Sequence, residues 1–209
     1  MTNALSTVLL VEDNPGDARL LREMFNEEGS RTIELTHVEC MSDAEKHLAT
    51  RAVDIILLDL GLPDTQGLEA VRRAHAAAPH TALVVLTGLD DESRGARALQ
   101  EGAQDYLFKD QIEARGLLRA LRYAAERKSL QDAVFVEKER AEATLNCIGD
   151  AVICTDLAGN ITFVNVVAEK ITGWSWQEAN SRPMAEVFRI LDATSGSTLA
   201  PVSHAGLFR

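Results

Sequence analysis

The sequence predicts an α/β fold: a five-stranded doubly wound parallel sheet, then a long helix and a partial α+β module. Three observations carry this. Short apolar runs rich in branched side chains recur five times, each followed by a stretch with helical spacing. The connections are short, and right-handed crossovers then leave one parallel sheet. The residues ending four of these runs are Glu12-Asp13, Asp59, Thr87 and Lys109. All fall at C-terminal strand ends, the edge where open α/β sheets hold ligands.

Thr7 to Val11 is the first strand. Asn14-Pro15-Gly16-Asp17 marks a turn and a helix start, because proline is favoured near a first helical position. Leu20, Leu21, Met24 and Phe25 give residues 18–28 their apolar face, and Gly29 closes the helix. Residues 33–38 alternate as a second strand. Ser42 is the expected cap of the second helix, with Glu45 completing a capping box. Asp54-Ile55-Ile56-Leu57-Leu58-Asp59 is the central strand, buried on both faces. Residues 61–67 form a loop, and Leu68 to Ala77 a helix that Pro79 stops. Strand four is Ala82 to Thr87. A helix over residues 90–101 ends at Gly102. Strand five runs from Gln104 to Lys109.

Composition narrows the function classes. The chain has 209 residues, 46% hydrophobic and 25% charged, as expected for a globular protein. The formal net charge of -11 argues against generic nucleic-acid or anionic-membrane binding. No stretch reaches the roughly 18 apolar residues of a membrane span. The N-terminal residues lack the basic segment of a signal peptide. Cys40, Cys147 and Cys154 are too scattered for a zinc motif and read as reduced cysteines of a cytoplasmic protein. The five histidines show no ligand spacing and read as surface or packing residues.

Three carboxylates, Glu12, Asp13 and Asp59, converge at the sheet edge. Like charges raise one another's pKa unless a cation sits among them. Hard oxygen ligands with room for water suit Mg2+, or Mn2+ in its place. Lys109 enters from the opposite side and Thr87 lies close by. A metal and a lysine flanking one carboxylate suit a site where further anionic charge arrives, and a phosphoryl group is the obvious guest. Asp59 is then a carboxylate nucleophile. Asp13 binds the metal directly, Glu12 directly or through water, and the Gly61 carbonyl completes the protein ligands. Thr87 hydrogen-bonds the phosphoryl group and Lys109 pairs with it.

These residues carry a resemblance. The stretches Leu9 to Asn14, Leu57 to Asp64 with Gly67, Val84 to Gly88 and Gly102 to Lys109 resemble a two-component response-regulator receiver domain of flavodoxin-like fold. The resemblance implies that Asp59 accepts a phosphoryl group from a histidine kinase or phosphotransfer protein. It also implies a switch, in which Thr87 moves toward the phosphoryl group and Tyr106 turns inward. One residue departs from the pattern. The family places proline after the lysine, with a cis bond, whereas Lys109 is followed by Asp110. A non-proline cis bond costs about 2.5–4 kcal/mol. The expectation is a trans bond or a strained cis one.

Beyond the receiver, residues 117–148 read as a continued helix. Leu130, Val134, Glu137, Ala141, Thr144 and Ile148 step by four and three. A homodimer through residues 117–148 is one reading, a solvated linker helix the other. Ala151 to Asp156 and Ile161 to Val164 form a hairpin about Leu157-Ala158-Gly159-Asn160. A short helix ends at Gly173-Trp174, and another spans residues 175–179. With Gly149-Asp150, Ala168-Glu169 and Thr172-Gly173-Trp174, this stretch is similar to the first half of a PAS sensor domain. The later strands of that fold are not evident, so a truncated module, or one completed by another chain, is expected, with no PAS ligand. The expected domains are a receiver over residues 1–125, a helical linker over 126–146 and a partial PAS-like module over 147–209. Such an arrangement resembles the N-terminal part of larger bacterial signalling proteins, and it is regulatory rather than enzymatic. Two other readings stand beside it. One is a Mg2+-dependent aspartyl phosphohydrolase, which would want an acid where Gly61 stands. The other is a receiver-shaped docking module that is never phosphorylated.

Overall fold

The computed structural model describes residues 5–27, 33–88, 92–188, 190–191 and 198–199. The chain divides into two compact units, Met1–Ala133 and Val134–Arg209.

The first unit contains β1 (Thr7–Val11), α1 (Pro15–Glu27), β2 (Glu34–Val38), α2 (Met41–Leu48), β3 (Ile55–Asp59), α3 (Leu68–Ala77), β4 (Ala82–Thr87), α4 (Glu92–Gln100), β5 (Asp105–Phe108) and the start of α5 (Ala114–Asn146). The strands form one sheet in the order β2-β1-β3-β4-β5, and every pairing is parallel. The order reverses beside β1, so the C-terminal ends of β1 and β3 flank the crevice where such sheets bind ligands.

Strand periodicity explains the two cores. Val8, Leu10, Ile55, Leu57, Val84 and Leu86 face one way, against Ala18, Leu21 and Phe25 of α1 and Leu117, Leu118 and Leu121 of α5. Their alternates Leu9, Val11, Ile56, Leu58, Leu83 and Val85 face the other way, against Met41, Ala70, Val71, Ala74 and Ala98. Both faces of β3 and β4 are covered and all their residues are buried, hence the unbroken apolar runs. Burying each such Leu, Ile or Val contributes about 1.5–3 kcal/mol.

Local signals end most elements where the sequence places them. Pro15 is the first residue of α1. Gly102 follows α4 at φ +106, a conformation that favours glycine. The expected helix end at Gly29 and the helix start at Asp90 lie outside the described residues. Strand five stops one residue short of the expected end, and Lys109 opens a 3-10 turn over Lys109–Gln111.

One element corrects the sequence reading. Ser42 is not the cap of α2. The N-cap position is Cys40, whose side chain makes no capping bond. The cap is supplied from the β3–α3 loop instead. Asp64 accepts from the Met41 amide (2.9 Å), the Ser42 amide (2.8 Å) and the Ser42 hydroxyl (2.6 Å). Glu45, free of any box, pairs with Arg73 of α3 at 2.8 Å.

The second unit has the C-terminal part of α5, the antiparallel pair β6 (Ile153–Thr155) and β7 (Ile161–Val164), then α6 (Val166–Thr172), α7 (Trp176–Ala179) and α8 (Met184–Val187). Asp156 holds the hairpin turn by accepting from the Ala158 and Asn160 amides, both at 2.9 Å. Gly173 closes α6 at φ 75, and Ser175 with Glu178 forms a capping box on α7. A small core of Ile161, Val164, Ala168, Ala179 and Val187 holds the unit together. Among the described residues, the only later strands are β8 (Ile190–Leu191) and β9 (Thr198–Leu199), two residues each.

Candidate phosphoacceptor and metal site

Asp59 ends β3 beside the end of β1. Its residue exposure is 9%, so its charge needs partners. It has two on opposite oxygens. Lys109 Nζ lies 2.9 Å from Oδ1, and the Gly61 amide donates to Oδ2 at 2.9 Å. A Cβ on residue 61 would stand 3.1 Å from Oδ2, a tight contact that the carboxylate would have to yield to. Glycine therefore lets the loop backbone reach the carboxylate.

Glu12 leaves the end of β1 fully buried. Its Oε1 accepts from the Asn14 amide at 3.2 Å. Its Oε2 lies 2.7 Å from Lys109 Nζ but outside hydrogen-bonding angles, so this buried oxygen has a counter-charge and no directed donor. Burial pushes the Glu12 carboxyl above the usual range and the nearby Asp59 charge adds to this, against the pull of Lys109. Asp13 is the exposed member of the set. One ligand atom from each of Glu12, Asp13 and Asp59 lies within 4.8 Å of the others.

Lys109 follows β5 and reaches the same point. Its Nζ touches Glu12 at 2.7 Å, Asp59 at 2.9 Å and Asp17 at 3.0 Å. Burial alone would lower its pKa, but the Glu12 and Asp59 carboxylates against it outweigh this and push the ammonium upward. No cis peptide bond occurs among the described residues, so Lys109-Asp110 is trans and the lysine reaches Asp59 from that backbone.

Thr87 ends β4, buried, and its hydroxyl donates to the Gly88 carbonyl at 3.3 Å. Its neighbour in the ladder is Phe108, the residue before Lys109. Tyr106 is half-buried. It meets Phe108 edge-on, with centroids 5.5 Å apart, and its ring lies over buried Gly95 of α4. A Cβ there would stand 2.6 Å from the tyrosine ring.

The structure thus brings Glu12, Asp13, Asp59, Gly61 and Lys109 together. Two contributors were not anticipated. Asp17, read only as part of a helix-start signal, turns its carboxylate onto Lys109 from the first turn of α1. The available signal was its spacing, four residues after Asp13 at the mouth of a helix. His37 Nε2 lies 2.7 Å from the Glu12 carbonyl, and Arg22 approaches its Nδ1 at 2.9 Å. Arg22 can only donate, so Nδ1 accepts and Nε2 carries the proton given to the Glu12 carbonyl. This bond across the β1–β2 ladder leaves no mark in sequence spacing.

The residues fit a hard divalent cation. Four carboxylates (Glu12, Asp13, Asp17, Asp59) face one ammonium, a formal surplus of three negative charges. The buried Glu12 Oε2 lacks a directed partner, and Asp13 keeps the outer side open to water, as Mg2+ prefers.

Known proteins resemble this chain in sequence and in fold. The family profile described as the response regulator receiver domain matches residues 8–122, and the PAS fold profile matches residues 139–200. The KDP operon transcriptional regulatory protein KdpE of Escherichia coli is 39% identical over 107 residues, covering 50% of this chain and 45% of that protein. The probable diguanylate cyclase DgcE of Escherichia coli is 43% identical over 84 residues, 40% of this chain and 8% of that protein. The chain therefore spans less than half the length of these relatives. The signal receiver domain of an HD domain-containing protein from Pseudomonas fluorescens superposes with a TM-score of 0.56 at 27% identity, covering 64% of this chain and 96% of that one. A CheY-like receiver domain from Methanospirillum hungatei shares the fold, with a TM-score of 0.53 at 21% identity over 61% of this chain and 99% of that one. With the profile spanning more than half of its length, this chain belongs to the response regulator receiver domain family and carries a PAS fold after the receiver.

Proposed function

We propose that Asp59 is a phosphoacceptor in a phosphorelay, charged by a histidine kinase or phosphotransfer protein. The observation that carries this reading is the setting of Asp59, a nearly buried carboxylate held between a lysine and a loop amide beside two further acids. In the transfer, an Asp59 oxygen forms the new P–O bond as the P–N bond to the donor imidazole breaks, and the imidazole leaves with the electron pair. Glu12, Asp13, Asp59 and the Gly61 carbonyl would hold Mg2+ or Mn2+. When bound, that ion supplies positive charge against the phosphoryl oxygens. Lys109 offers the second positive charge. The Gly61 amide orients the nucleophile. Thr87, whose hydroxyl rests on the Gly88 carbonyl, is the group free to rotate toward a phosphoryl oxygen, and Tyr106 would follow it inward from its seat on Gly95.

The output path follows the chain: a receiver over residues 1–125, a helical linker over 126–146 and a partial PAS-like module over 147–209. Leu130 and Val134 of α5 are 63% and 71% exposed, which supports a parallel homodimer with a second copy of this helix. A monomer in sedimentation at high concentration, with and without a phosphoryl mimic, would remove that part. No helix of the described residues is long and apolar enough to cross a membrane. Free cysteines fit a reducing cytoplasm. A net charge of -11 offers no footprint for nucleic acid. The protein then acts as a regulator rather than a metabolic enzyme. The test is intact mass after incubation with Mg2+ and acetyl phosphate. Wild type gains one phosphoryl group and Asp59→Asn gains none; equal labelling of both contradicts the reading.

A further inference from the structure

Lys109 has three N–H donors, and three carboxylates surround it. Glu12 and Asp59 have roles in the reading above. Asp17 has none, yet its carboxylate accepts a hydrogen bond from Nζ at 3.0 Å. Its position is fixed by the fold. It stands in the first turn of α1, where the helix dipole favours an acid. The next residues, Ala18 and Leu21, anchor that turn in the core.

A phosphoryl group on Asp59 brings new oxygens that need Lys109. The lysine must give up an existing partner to meet them. Asp17 is the cheapest to release: its side chain is 36% exposed, against 0% for Glu12 and 12% for Asp59, so water can rehydrate it. We propose that Asp17 is a positioning residue that holds Lys109 back and competes with the incoming tetrahedral anion for its ammonium. The exchange swaps one N–H···O bond for another and passes the Asp17 carboxylate to solvent. This rests on the reading of Asp59 as phosphoacceptor. Competition for the lysine and charge repulsion act in the same direction here. Both make Asp17 oppose the anion, whereas its negative charge favours a nearby cation. The two ligands should therefore respond to its loss with opposite signs, which a loosened fold would not produce.

The experiment uses the full chain and amide NMR titrations with Mg2+ alone, then with beryllofluoride at saturating Mg2+. Asp17→Asn keeps the shape and removes the charge; Asp17→Glu keeps the charge. Asp17→Asn is expected to half-saturate at about three- to tenfold lower beryllofluoride, the worth of one partly exposed charge-assisted hydrogen bond. Its Mg2+ affinity should fall by about twofold through the lost charge. Asp17→Glu should stay near wild type on both. Unchanged or weaker beryllofluoride binding by Asp17→Asn, or shifts of one sign for both ligands, overturns the proposal and leaves the phosphoacceptor reading intact. Wild type that binds Mg2+ but no beryllofluoride removes both.

Discussion

Replacing Asp64 by alanine removes a helix cap that comes from outside the helix. The carboxylate receives three hydrogen bonds from Met41 and Ser42 and lies 3.6 Å from Arg73. Burial alone would raise its pKa, but the Ser42 and Met41 bonds outweigh it, and the Arg73 charge helps to hold the carboxyl at about 2. Against an ordinary value of 3.8, that depression is worth about 2 kcal/mol. Loss of an N-cap typically costs about 1 kcal/mol. The side chain is 26% exposed, so solvent takes part of the larger figure. The expected loss is about 1–2 kcal/mol, or roughly 3–6 °C in Tm for a chain of this size. The sign with pH follows from a folded pKa below the unfolded one. The stabilisation is complete above pH 3.8 and is lost as pH falls through about 2. By linkage, about half of it survives at pH 3. Urea unfolding of both proteins at about pH 6 and about pH 3 measures the gap. A difference within about 0.3 kcal/mol at pH 6, or a gap unchanged at pH 3, would mean that Asp64 does not cap α2.

Two further predictions concern the switch and the second unit. Gly95→Ala would set a Cβ 2.6 Å from the Tyr106 ring, so the ring or α4 must move, at about 1–3 kcal/mol. The double variant Gly95→Ala/Tyr106→Ala should recover most of that loss in urea unfolding, and additive losses would contradict the contact. Asn165 is fully buried and uses its whole amide, accepting from Val152 and Ala168 and donating to the Leu145 and Asp150 carbonyls. Asn165→Ala strips the buried Ala168 amide and three partly buried backbone groups of this partner and should cost about 2–4 kcal/mol. Faster amide exchange is expected at Val152 and Ala168, while the receiver sheet keeps its protection.

Much of the fold was legible because buried parallel strands announce themselves. Ile55 to Leu58 and Ala82 to Leu86 must be apolar on both faces, and no other element of that length needs to be. The site followed, since Glu12, Asp13, Asp59 and Lys109 sit at strand ends whose geometry the sheet dictates. What the sequence hid are contacts between residues far apart in the chain. A local rule made Ser42 the cap of α2, whereas Asp64, 22 residues on, does that work. Helix-end chemistry constrains only that some acceptor arrives, and a loop anchored elsewhere can bring it. Asp17 escaped for a related reason: its role depends on where Lys109, 92 residues later, directs its ammonium.

On the proposed function, Asp59 itself carries the phosphoryl group. An acyl phosphate is reduced by borohydride to the alcohol, turning an aspartyl residue into homoserine, so the acceptor can be mapped by peptide mass. After Mg2+ and acetyl phosphate, homoserine is expected at position 59 and at no other acid of the cluster. Modification at Glu12, Asp13 or Asp17, or at no residue while labelling of the intact chain persists, would contradict it.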